Sequence, residues 1–254
     1  MKNFTMNEGL SSNDIYCIYE DKNRIVWIGT AGGGLNMLDY KTGKVVVYKH
    51  EKAKNSISDN TVNCIWDDRK GNLWIGASNG LNKFDIKSQH FIQYNEKDGL
   101  PNGNIFGILG DPKGNLWLST NKGISRFNPK IENKEGIAFK NFTTHDGLQG
   151  DEFAQGSYFL NKQTGEMFFG GLNGFNAFYP DHVSDNKHIP PVFITSFKKF
   201  GKEAELDTSV SDKKYMELSY KDNFISFEFV ALDYIFPKKN KYSFRMDGLD
   251  NDWS

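Results

Sequence analysis

The chain has 254 residues and a net charge of -1, with 31 Lys and Arg set against 32 Asp and Glu. A nucleic-acid binder would carry a basic face, and the near-balanced charge with no long basic run argues against nucleic acid as a partner. No stretch of about 18 apolar residues occurs, which excludes a membrane-spanning helix from these residues, and Met1-Lys2-Asn3-Phe4-Thr5 contains no apolar signal-peptide core.

Aromatic content is 15%, with 25 Gly and 7 Pro, a composition suited to many short strands joined by tight turns. From the N-terminus, one phrase recurs four times: a Gly-Leu-like turn, a short apolar strand, an acidic turn, Trp-(Ile/Leu), and a second glycine turn. The copies run from Gly9 to Leu35, Ser56 to Leu81, Gly99 to Ile124 and Gly147 to Phe175. Their aromatic anchors are Trp27, Trp74, Trp117 and Phe168, spaced 47, 43 and 51 residues apart. A period in the forties with an aromatic at a fixed strand position predicts stacked β-propeller blades.

The second copy shows the pattern most fully. Val62, Cys64 and Trp66 alternate with Asn63 and Ile65, which reads as a strand. Asp67 to Asn72 supplies Asx and glycine turn chemistry. Leu73-Trp74-Ile75-Gly76, Leu81 to Asp85 and Phe91 to Tyr94 complete four strands per blade. Cys17 and Cys64 fall at one repeat position, where the third copy has Gly107. That position calls for a small side chain, and a disulfide between neighbouring blades is not expected.

The fourth copy is eroded. Phe168-Phe169-Gly170-Gly171 replaces the Trp strand, and Asp151-Glu152 adds charge. Terminal repeats are atypical because one face no longer meets a blade; the alternative makes Asp151 and Glu152 ligand-facing residues. Phe4-Thr5-x-x-Glu8-Gly9-Leu10 superposes on Phe142-Thr143-x-x-Asp146-Gly147-Leu148, so the sequence is expected to start inside a propeller, as a fragment of a larger ring.

After Phe178-Tyr179-Pro180 the pattern changes. A polar stretch and Ile189-Pro190-Pro191 form a linker over 181–191 between blades in 1–180 and a second domain in 192–254. Strands are predicted at Val192 to Ile194, Ile225 to Phe229 and Tyr242 to Met246, with the apolar side chains of Ile225 to Phe229 on one face. This segment is too short for a complete β-sandwich. The fold class is therefore all-β: a partial propeller of about four four-stranded blades, followed by a truncated Ig-like β-sandwich.

The stretch Val62 to Gly76 resembles the two-component regulator propeller repeat. Leu218 to Asn223, Phe227 to Tyr234 and Tyr242 to Trp253 resemble the triple-tyrosine (Y_Y_Y) domain that follows such propellers, with Tyr220, Tyr234, Tyr242 and Trp253 at its motif positions. The resemblance implies the periplasmic sensor region of a hybrid two-component histidine kinase of Bacteroidetes. It implies an oligosaccharide or other small ligand, further blades and a kinase in the same full-length protein, and a homodimeric receptor. Kinase motifs and a membrane span are absent from these residues, so sensing and coupling are expected of them rather than catalysis.

The chemistry of enzymes finds little support. Five scattered histidines form no paired metal motif, so neither metal nor cofactor is expected. Gly32-Gly33-Gly34 is a hairpin turn with no helix behind it to cradle phosphate. Asp67-Asp68 and Asp111 could be taken for the paired acids of a glycosidase. Acids recur at the same turn in each of the first three repeats, however (Asp21, Asp68, Asp111), which argues for a structural role. A propeller-fold carbohydrate-active enzyme and a protein-interaction scaffold stand as the alternatives.

Overall fold

The computed structural model describes residues 2–52, 55–131, 138–183, 190–204, 209–213, 215–232, 240, 242–248 and 250–253. The chain divides into two compact units, 1–184 and 185–254. Most of the 181–191 linker, and Tyr234, lie outside the described residues.

In the first unit three four-stranded antiparallel sheets follow one another. They are β1 (Ile15–Glu20) to β4 (Val45–Tyr48), then β5 (Val62–Asp67) to β8 (His90–Tyr94), then β9 (Ile105–Gly110) to β12 (Phe139–Phe142). Their middle strands are β2 (Ile25–Thr30), β3 (Leu35–Asp39), β6 (Asn72–Ala77), β7 (Gly80–Asp85), β10 (Leu116–Thr120) and β11 (Gly123–Phe127). A fourth sheet has three strands: β13 (Phe153–Leu160), β14 (Met167–Gly171) and β15 (Gly174–Phe178). The expectation of four strands in every blade is corrected here, because the chain leaves β15 through Tyr179 and Pro180 and no outer strand pairs with it among the described residues. The first strand of each sheet packs beside the first strand of the next, which is the propeller arrangement.

A single sheet cannot bury both its faces, so neighbours supply the cover. Trp27 and Leu35 of the first sheet share a core with Ile57, Leu73, Ile75 and Phe84 of the second. Trp74 and Leu81 pack likewise with Leu116, Leu118 and Phe127 of the third. Trp117 and Ile124 pack with Phe153, Met167 and Phe169 of the fourth.

The small residue on each first strand has a packing cause. A Cβ on Gly107 would run into the ring of Tyr158 from the fourth sheet. The Cys17 and Cys64 thiols instead lie near the Val62 and Ile105 carbonyls of the following sheets, at 4.0 and 3.9 Å. Both cysteines are unbridged.

In the second unit β16 (Val192–Lys199) pairs with β17 (Lys202–Glu203) on one side and β18 (Ile225–Ala231) on the other. Phe197 is buried and its ring lies 5.0 Å from Phe227. The predicted strand over Tyr242 to Met246 does not form. Local side-chain bonds take the backbone instead: Met246 N donates to Asp250 Oδ2 at 2.7 Å, and Asp250 N donates to the Met246 carbonyl at 2.9 Å.

Candidate functional site

Each acidic turn is closed by its own carboxylate. Asp21 accepts from Asn23 N and Ile25 N at 2.8 and 3.1 Å, and from the Trp27 indole at 3.2 Å. Asp111 accepts from Asn115 N and Asn115 Nδ2 at 2.8 Å each, and from the Trp117 indole at 3.2 Å. Asp68 accepts from Lys70 N, Asn72 N and Asn72 Nδ2. The side chain that shapes the turn therefore also orients the indole in the first and third repeats. In the fourth repeat Asn161 caps the turn beside Phe168, which has no N–H to satisfy. The arrangement uses these acids up in structure and leaves no glycosidase-like pair among them.

The loops that lead into the first strands form one rim of the sheet stack. The last glycine of each β2–β3-type turn donates across to the next loop: Gly34 N to Asn60 O at 2.7 Å, Gly80 N to Gly103 O at 2.7 Å, and Gly123 N to Asp151 O at 2.6 Å. Asp151 also accepts from Thr144 N through its carboxylate at 2.8 Å, just as Asn13 accepts from Met6 N. Both its carbonyl and its side chain thus hold backbone.

Glu152 differs. Its carbonyl accepts from Leu172 N at 3.2 Å while its side chain is exposed. Asp14 occupies the same register, accepting from Ala31 N at 3.0 Å, and is exposed too. Thr61 stands at that register in the second repeat, accepting from Ser78 N, and Asn104, directly ahead of β9, in the third. Sequence reasoning singled out Glu152 and missed Asp14, Thr61 and Asn104. Counting back from the first strands of the repeats would have found them, since each immediately precedes Ile15, Val62 or Ile105. The result is a row of acid, hydroxyl, amide and acid along the rim, with the exposed ring of Tyr16 next to Ile15.

A depression of about 240 Å³ lies on the outer edge of the second sheet between Asn72, Lys83, Asp85, Ser88, His90 and Ile92. The acid in it is engaged: Asp85 accepts from Ser88 N and Oγ at 2.6 and 2.8 Å, and these bonds hold its carboxyl below the ordinary value. No cluster of three His, Cys, Asp or Glu with metal-binding geometry occurs among the described residues.

The anchors Trp27, Trp74 and Trp117 are buried, whereas Phe168, at the same register, is half-buried. Of the described motif positions in the second unit, Tyr220 is exposed, Tyr242 accepts from Ala231 N through its hydroxyl at 3.2 Å, and Trp253 lies under the Arg245 guanidinium at 5.3 Å.

The Two component regulator propeller family profile matches residues 9–32 and 99–122, within the first and third repeats. The chain is 30% identical over 131 residues to Histidine kinase P4 of Formosa agariphila, covering 48% of this chain and 10% of that protein. It superposes along its whole length, with a TM-score of 0.75 and 28% identity, on the extracellular domain assigned to the hybrid two component system BT3049 of B. thetaiotaomicron, of which it covers 34%. The chain thus spans a tenth of the curated relative and about a third of the solved one.

Proposed function

We propose that this chain is a ligand-sensing, non-catalytic part of the extracytoplasmic region of a two-component sensor. Its location would be periplasmic and its ligand an oligosaccharide. No helix among the described residues is long and apolar enough to cross a membrane. Kinase chemistry would reside elsewhere in a longer, homodimeric receptor, and no cofactor is needed for binding. The observation that carries the reading is the rim row Asp14–Thr61–Asn104–Glu152 at the start of the first strands, at the opposite end of those strands from the turn acids, which are spent on backbone and indole. The exposed carboxylates of Asp14 and Glu152 and the exposed ring of Tyr16 are groups that bind sugar hydroxyls and sugar faces, and half-buried Thr61 and Asn104 lie between them, with the Asn104 side-chain oxygen already accepting from Asn63 Nδ2 at 2.9 Å. Binding there would bias the arrangement of the second unit by population shift, and the stiff Pro190-Pro191 segment suits that coupling.

Calorimetry of the protein against a panel of oligosaccharides tests this. Saturable heat is expected for one member, weakened at least tenfold by Glu152→Gln or Asp14→Asn with the melting temperature unchanged. No heat with any glycan would sink the reading. Cleavage of a glycan, lost on substitution of one carboxylate, would replace it with an enzyme, and capture of a protein partner without small-ligand binding would replace it with a scaffold.

A further inference from the structure

The first strand of every sheet carries a bulge, and the fourth is built differently from the other three. In the first three sheets two residues of the first strand stand against one of the second: Tyr16 and Cys17 against Gly29, Asn63 and Cys64 against Gly76, Phe106 and Gly107 against Ser119. In the fourth, Phe153 pairs with Gly171 and Tyr158 with Phe169, so four residues, Ala154 to Ser157, stand against Gly170 alone. This register belongs to the pairing of β13 with β14 within one sheet and does not depend on what covers that sheet. Both ends of the bulge are pinned. Phe153 is buried, and the Tyr158 ring packs on the core around Cys64, over the space a side chain on Gly107 would need. Extra residues held between two such anchors push out of the sheet and re-aim their side chains, a device that recurs beside functional sites.

The bulge follows directly on Glu152 of the rim. β13 packs beside β9 and also reaches β5, two sheets back, so the first strands gather around one axis with the bulge at its rim end. Gln155, Gly156 and Ser157 are exposed, and Gly156 has φ 71° with open space where a Cβ would stand. Gln149, in the place of Ser11 and Ser58, donates from Nε2 to Gly174 O at 3.3 Å and leaves its Oε1 buried without a partner, while its side chain and the Glu152 carbonyl both border Gly171. The amide at the bulge of the second sheet is already engaged, since Asn63 Nδ2 donates to Asn104 Oδ1 and Ile105 O at 2.9 and 3.0 Å. We propose that the β13 bulge is the specificity-determining element of the rim, the Gln155 amide and the Glu152 carboxylate binding adjacent hydroxyls of one sugar unit. An amide donates and accepts while a carboxylate only accepts, so the pair matches hydroxyls that each give or take one hydrogen bond. The inference rests on the ligand reading above and fixes which end of the rim row carries selectivity.

Calorimetry of the full chain against the oligosaccharide panel tests it, with the melting temperature read for each variant. Gln155→Ala should weaken the panel member that binds the parent about tenfold, the worth of one or two hydrogen bonds, at an unchanged melting temperature. Deletion of Gln155 and Gly156, which restores the two-against-one register of the other sheets, should abolish its binding. A deoxy form of that sugar lacking the contacted hydroxyl should lose nothing further on Gln155→Ala, a coupling that a purely structural bulge would not produce. Parent-like affinity in Gln155→Ala would overturn the proposal and leave the ligand reading standing, whereas silence of the whole panel sinks both. Should the deletion lower the melting temperature, Gln155→Ala decides alone.

Discussion

The indole of Trp74 meets the ring of Phe127, one sheet further on, edge-first at 5.6 Å and 67°; Trp27 and Phe84 repeat the contact at 5.7 Å and 67°. In each case a tyrosine from the outer strand of the Trp-bearing sheet closes the third side, with Tyr94 at 4.9 Å from Phe127 and Tyr48 at 5.0 Å from Phe84. Edge-to-face pairs add to the area they bury, and truncating a buried Phe also leaves a cavity. Phe127→Ala should therefore destabilise the protein by about 3–5 kcal/mol, measured by urea unfolding. A loss below about 1 kcal/mol, within the range of ordinary surface changes, would show that the sheets do not depend on this contact.

The turn acids give a second expectation. Asp111 faces only donors, so Asp111→Asn would point an NH2 group at the Asn115 amide and the Trp117 indole. The cost should be about 1–3 kcal/mol, visible as a lower unfolding midpoint. Ligand affinity of the folded fraction should not change. A stable Asp111→Asn protein with lost binding would reverse the assignment and make the acid functional.

Gly107 is closed to substitution from the side of the neighbouring sheet. A methyl group there meets the Tyr158 ring and the Ser119 hydroxyl. Overpacking of this kind costs about 1–3 kcal/mol, so Gly107→Ala should lower the melting temperature. Adding Tyr158→Ala to Gly107→Ala should cost less than the two single changes added together. Strict additivity would contradict the contact.

Stability should also fall in alkali. Burial pushes the Cys17 thiol from 9.0 up to about 12, and burial followed by the hydrogen bond to Asp67 takes the Tyr19 phenol from 10.0 to about 12. Burial also raises Cys64 and Tyr158. Such groups hold their protons more tightly in the folded chain than in the unfolded one. Their contribution is whole below the unfolded values and is lost as pH rises through the folded ones. Melting curves should show a decline between pH 9 and 12, and Cys17→Ala should be less sensitive than the parent over the lower part of that window. Equal slopes for parent and variant would refute the role of the thiol.

Much of the first unit was legible in sequence because a sheet repeat writes its demands locally. Trp27, Trp74 and Trp117 mark the middle strands, the Asp turns precede them, and the glycines mark where φ must be positive, as at Gly80 with φ 121°. One pair of differences between the repeats gets its reason only from the hydrogen bonds. Ser11 and Ser58 present N–H groups to Asn36 and Asn82, whereas Pro101 has none to offer and Ser125 replaces the amide. The rim was less legible: Asp151 and Glu152 are adjacent in sequence, but only the coordinates show one carboxylate holding the Thr144 amide and the other exposed. The Tyr242 segment misled because its alternation is that of a strand, while its bonds run to Asp250 and Ala231.

The sequence by itself determined the repeat, the strand positions within it and the turn chemistry, since these depend on residues within a few positions of one another. Only the tertiary structure decided which side chains are covered, because burial depends on what the next sheet brings across roughly 45 residues of chain. Trp117 and Phe168 hold the same place in their own strands, and what separates them is that one has a neighbour's Phe178 4.9 Å away and the other faces outward.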